Sequence, residues 1–109
     1  MNIVVQARHM NATDSIRQHV ESKVSKLSRF YDGLQSIEVI LDIDADQAVV
    51  EIVATARKKN TFVATDRHAD MHTCIDNCLH KISEQLRRHK DKVRDRQGPS
   101  HGQLPEQGE

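Results

Sequence analysis

The densest chemistry in this 109-residue chain lies at residues 85–96, QLRRHKDKVRDR. Drawn on a helix at 100° per residue, an apolar stripe runs through this region. Lys81, Arg88 and Lys92 flank one side of the stripe, and Arg87, Lys90 and Arg94 flank the other. Two rows of cations beside a buried stripe can lie along a phosphate backbone, because they need only reach oxygens and do not have to read bases. The alternative is a solvated helix end whose cations complement the negative end of the helix dipole. Lys23, Lys26 and Arg29 on an earlier helix, and Arg57-Lys58-Lys59 in a turn, supply further cations. Antiparallel helix packing or a shared sheet edge would merge them into one patch.

A second constellation is His72, Asp76 and His80, with Cys74 and Cys78 close by. These are metal-ligand types. On a helix, however, the histidines point away from Cys74, and Cys78 falls in the apolar stripe. One helix cannot close a tetrahedral site with ligands on opposite faces, so no metal or other cofactor is expected. His89 sits at the edge of the stripe and reads as a packing or hydrogen-bonding residue. Asp42, Asp44 and Asp46 resemble paired carboxylates but fall at a hairpin end, where a solvated acidic turn is expected. No nucleophile elbow, P-loop or dinucleotide glycine pattern is present. No catalytic residue is assigned, and neither an enzymatic activity nor a small-molecule substrate is expected.

Sixteen Lys+Arg balance sixteen Asp+Glu. The zero total hides a division along the chain. Residues 1–50 carry five basic and seven acidic groups, whereas residues 51–100 carry eleven and seven. With 3% aromatics and no Trp, the core must be built from Val, Ile and Leu. So few rings argue against a stacking platform for single-stranded nucleic acid. No apolar run exceeds three residues, far short of the ~20 that a membrane span needs. Two cysteines are too few for a disulfide framework, so a reducing, cytoplasmic location is expected.

The elements that must position these residues follow from periodicity. Residues 2–7 are β-branched and read as a strand. Thr13 and Asp14 start a helix whose apolar face is Ile16, Val20, Val24, Leu27 and Tyr31, with Gly33 as its stop. Residues 36–43 and 48–55 alternate as strands about a turn at Asp44-Ala45-Asp46-Gln47. A fourth short strand covers residues 61–65. The last helix starts near Asp70 and buries Met71, Ile75, Cys78, Leu79, Ile82, Leu86 and Val93. The order β-α-β-β-β-α predicts an α+β two-layer sandwich, a four-stranded sheet with two helices on one face and its first strand parallel to its neighbour. One domain, residues 1–96, is expected, followed by a disordered tail at 97–109. The open sheet face mixes Glu38, Asp42 and Glu51 with Ile40, Val49, Val53 and Val63. A protein-binding regulator acting through that face is the alternative to nucleic-acid binding.

The sequence resembles the bacterial ribosome hibernation factors, also known as sigma-54 modulation proteins. The resemblance rests on Thr13-Asp14-Ser15-Ile16-Arg17-Gln18-His19-Val20 and on Lys23-Val24-Ser25-Lys26-Leu27 with Phe30-Tyr31-Asp32. It is clearest at Asp70-Met71-His72-Thr73-Cys74-Ile75-Asp76, Lys81-Ile82 and Gln85-Leu86-Arg87-Arg88-His89-Lys90-Asp91-Lys92. It implies a fold similar to double-stranded-RNA-binding domains, docked on the rRNA of the small ribosomal subunit in the mRNA/tRNA channel. Translation would then be inhibited in stationary phase or stress. It also implies RNA contacts at Lys23, Lys26, Lys81, Arg87, Arg88, Lys90 and Lys92, to which the same helix faces add Arg29 and Arg94. His72 departs from the Tyr often found there. The chain resembles a short form lacking the dimerisation domain of longer relatives, expected to be monomeric off the ribosome.

Overall fold

The computed structural model describes residues 2–31 and 33–97, and of these every side chain except those of Phe30 and residues 91–97. The expected tail lies outside the described residues, apart from Gln97, which ends the last helix. Four strands, β1 (Asn2–Arg8), β2 (Leu34–Asp44), β3 (Gln47–Ala56) and β4 (Thr61–His68), form one sheet in the order β1-β2-β3-β4. β1 runs parallel to β2, while β2–β3 and β3–β4 are antiparallel. The helices are α1 (Asp14–Ser25), a one-turn continuation α2 (Leu27–Phe30) and α3 (Met71–Gln97). This is the expected α+β sandwich.

Local chemistry explains each boundary. The Thr13 hydroxyl accepts a hydrogen bond from the Ile16 N–H, capping α1. The Asp70 carboxylate accepts from both the N–H and the hydroxyl of Thr73, capping α3. Between β2 and β3, Ala45 and Asp46 both adopt positive φ, 50° and 63°, the two-residue turn whose twist suits a hairpin. β4 runs three residues beyond the expected Thr65, because Asp66, Arg67 and His68 pair with Val50, Val49 and Ala48.

Two details of the first helix differ from expectation. The helix breaks at Lys26 rather than running unbroken to Tyr31. The Ser25 hydroxyl donates to the Ser22 carbonyl and the Ser28 hydroxyl to the Ser25 carbonyl, and such back-bonding bends a helix. Gly33 does not act as a left-handed stop, since it lacks positive φ and the final turn closes on Tyr31. Its carbonyl instead accepts from the Arg57 N–H, tying the α2–β2 junction to the β3–β4 turn.

One core lies between the sheet and the helices. Val20, Val24 and Leu27 meet Ile37, Val39, Leu41, Val50 and Ile52 of the sheet and Ile75, Cys78, Ile82 and Leu86 of α3. Cys74 is as fully buried as Cys78. The Cys74 thiol lies near the Asp66 carbonyl (3.2 Å) and the Cys78 thiol near the Ala64 carbonyl (3.3 Å). Burial pushes both thiols up, Cys78 to about 12, so both stay protonated and unreactive. Val93 lies outside the described side chains.

Polar contacts fasten α3 to β4. The Lys81 ammonium donates to the Thr65 carbonyl (2.7 Å) and the Asp66 carboxylate (2.9 Å), and Gln85 donates to the Val63 carbonyl (2.8 Å). Burial raises the Asp66 carboxyl, but hydrogen bonds from Lys81 and Asn77 outweigh it and hold it below its ordinary 3.8. Such a carboxylate stabilises the fold above its unfolded value, and that contribution fades as pH falls through the lowered folded value.

Two expectations follow from this packing. Ile82→Ala should lower the free energy of unfolding in urea by about 2–5 kcal/mol; a loss below about 1 kcal/mol would place Ile82 outside the core. Asp66→Asn should shrink the difference in melting temperature between pH 7 and pH 3. An undiminished acid sensitivity would show that the Lys81–Asp66 pair adds nothing.

Candidate nucleic-acid interface

The direction of the strands decides where the cations go. β1 and β4 both run parallel to β2, and each is followed by a helix that returns across the same face. α1 and α3 therefore lie side by side and parallel, not antiparallel. The contacts advance together along both helices. His19 meets His72 and Asp76, Lys23 and Leu27 share a groove with Leu79 and Ser83, and Tyr31 meets His89. Both helix C-terminal halves thus reach the end of the sheet that carries the β3–β4 turn.

That end gathers most of the cations singled out in the sequence. Lys23 lies in the last turn of α1, Lys26 at the joint and Arg29 in α2, and all three are exposed. On α3 the two basic rims separate by neighbour. His80 and Ser83 line the groove against α1, and helical periodicity carries that flank on to Arg87 and Lys90. Asn77, Lys81 and Gln85 lie over β4, and that flank continues to Arg88 beside the β3–β4 turn. Arg87 pairs with Glu84, whose carboxyl it holds below the usual range.

Lys81 stands apart from the set. Its half-exposed ammonium already has two oxygen partners on β4, the Thr65 carbonyl and the Asp66 carboxylate. Lys92 and Arg94 lie on α3, with side chains outside the described residues.

The groove between the helices has a volume of about 390 Å³, with Leu27 and Leu79 as its floor and Lys23, Lys26 and His80 at its rim. At its upper end His19 Nε2 lies 2.9 Å from Asp76 Oδ1, and the His19 and His72 rings meet edge to face at 4.9 Å. His72 and Asp76 thus engage α1, and among the described residues no group of three or more His, Cys, Asp or Glu could hold a metal. At the lower end Tyr31, Phe62 and His89 form a three-ring cluster, with centroids 5.2–6.5 Å apart. Neither cluster was legible in the sequence. Both depend on parallel helices, and only the sheet order fixes that.

The opposite end is acidic. It holds the β2–β3 turn with Asp44 and Asp46, the nearby Asp42, and the helix starts with Asp14 and Asp70. Arginine there is answered by acid, since Arg67 pairs with Asp44 at 2.8 Å. A hydrogen bond with His9 holds the Asp42 carboxyl below the usual range. The arrangement is a basic end that can meet phosphates and an acidic end that would repel them.

Known proteins share this architecture. An N-terminal domain of Protein Y from Thermus thermophilus superposes with a TM-score of 0.75 at 29% identity, covering 82% of this chain and 99% of that one. A ribosomal subunit interface protein from Coxiella burnetii superposes with a TM-score of 0.78 at 22% identity, over 84% and 99%. In sequence, a ribosome hibernation promoting factor from Azotobacter vinelandii is 33% identical over 106 residues, spanning 96% of this chain and 94% of that protein. A Bacillus subtilis ribosome hibernation promotion factor is 28% identical over 97 residues, 85% of this chain but only 50% of that longer relative. The family profile matches residues 3–94, which take in nearly all of the sheet and helices and the cations up to Arg94. The chain belongs to the Sigma 54 modulation protein / S30EA ribosomal protein family.

Proposed function

We propose that this protein is a non-catalytic ribosome hibernation factor that docks on the rRNA of the small subunit through its basic end. Docked there, it occupies the channel used by mRNA and tRNA and so holds translation off in stationary phase or stress. The observation that carries this reading is the convergence of Lys23, Lys26, Arg29, Arg87, Arg88 and Lys90 on one end of a molecule with no net charge. The relatives' names, ribosome hibernation promoting factors, supply the partner.

The mechanism is electrostatic. Cations that neutralise RNA phosphates release condensed counterions, so binding strengthens as salt falls. The acidic end turns away from phosphate, which selects one docking orientation. Lys92 and Arg94, further along α3, belong to the same proposed RNA contacts, whereas Lys81 contributes by fastening α3 to β4. Among the described residues, no helix is long and apolar enough to cross a membrane.

The triple variant Lys23→Glu, Lys26→Glu, Arg88→Glu should fold normally, since none of these side chains enters the core. It should stay at the top of a sucrose gradient with purified ribosomes, while the parent protein co-sediments at low salt. Co-sedimentation of both proteins to the same extent would refute docking through this end and favour the open sheet face. Lys81→Gln should lower the melting temperature more than it lowers ribosome affinity, and the reverse order would make Lys81 a direct contact.

A further inference from the structure

The β3–β4 turn carries a second set of cations that the helical surface does not include. Arg57, Lys58 and Lys59 are consecutive and exposed, and none of them joins an ion pair among the described residues. No Asp or Glu occurs at residues 52–65, and the next acid, Asp66, is held by Lys81 and Asn77. Three adjacent like charges repel one another, and no ion pair among the described residues offsets that repulsion.

The backbone at this turn also runs against stability. Lys58 and Lys59 both have φ of 62°, the left-handed region that glycine and asparagine occupy with little penalty and lysine does not. The other positive-φ hairpin, at Ala45-Asp46, places an Asp in one of its two positions, a residue that tolerates this conformation. In the β3–β4 turn both positions hold a long cationic side chain.

The turn is nevertheless firmly held. The Ala56 N–H donates to the Asn60 carbonyl (2.8 Å), and the Asn60 side-chain amide donates to the Arg57 carbonyl (3.0 Å). The Arg57 N–H donates to the Gly33 carbonyl (3.1 Å), anchoring the turn to the junction that follows Arg29. On its other side, Phe62 packs against His89 of α3, one residue beyond Arg88. A fixed cationic tip therefore projects between the basic ends of α2 and α3.

We propose that Arg57, Lys58 and Lys59 form a separate phosphate-contacting site for the RNA backbone, displaced from the helical surface onto the hairpin tip. The inference rests on the ribosome-docking reading and adds a contact to it. The tip and the helix ends form two arms, so the docked RNA is held at more than one stretch of backbone. The backbone conformation at this turn opposes stability, so the cations there are accounted for by what they touch.

The backbone strain supplies a test with opposite signs. The variant Lys58→Gly, Lys59→Gly relieves the left-handed positions while removing two charges. Its melting temperature should stay the same or rise, and its affinity for purified small ribosomal subunits should fall roughly ten-fold at moderate salt. The slope of log affinity against log salt should flatten by roughly 0.7–0.9 for each lost contact. Lys58→Arg, Lys59→Arg should keep the affinity of the parent protein. If the glycine variant is as stable and binds as tightly as the parent, while Lys23→Glu with Lys26→Glu abolishes binding, the tip site is refuted and ribosome docking stands. If the parent protein itself fails to bind small subunits, both readings fall.

Discussion

The parallel pairing of β1 with β2 is the constraint on which the rest of the molecule depends. A parallel pair needs a crossover, so α1 must return over the sheet before β2 can begin. Two hairpins then bring β4 back into the same direction, and α3 has to return as α1 did. Both helices point their C-terminal ends the same way, toward the β3–β4 turn. With the opposite pairing of β1, α1 would cross in the other sense and Lys23, Lys26 and Arg29 would leave the α3 cations.

Parallel helices also align their dipoles. The N-terminal ends, where acids are favoured, carry Asp14 and Asp70. The C-terminal ends, where cations are favoured, carry Lys23, Arg29 and the basic run of α3. Cations at the helix ends therefore suit the fold as well as a phosphate partner. Lys81 and the β3–β4 turn differ from them. The half-exposed Lys81 ammonium is paired with Asp66, while Lys58 and Lys59 hold a left-handed conformation that does not help the fold. A neutral total thus coexists with a strongly polar molecule.

Much of this was legible in the sequence. Val20, Val24 and Leu27, then Ile75, Cys78, Ile82 and Leu86, announce two helices at a 3.6-residue period, and alternation from Ile37 to Leu41 and from Ala48 to Ala54 announces two strands. The burial of these side chains agrees with that pattern. What was not legible depends on contacts between distant segments. Parallel helices, the His19–Asp76 bond and the Tyr31–Phe62–His89 cluster appear only once the sheet order is known. Lys81 looked like its basic neighbours because sequence spacing shows which rim a residue occupies and not what stands opposite it. The break at Lys26 arose from serine hydroxyls competing for carbonyls, a local effect that the strong apolar period masked.

In the proposed docking, the basic end faces ribosomal RNA while Lys81 stays paired with Asp66. Lysine footprinting tests it most directly, by acetylating the free and ribosome-bound protein and reading each site by mass spectrometry. On binding, Lys23, Lys26, Lys58 and Lys59 should lose most of their reactivity, and Lys81 should change little. Equal reactivity of those four lysines in the free and bound protein would contradict the account.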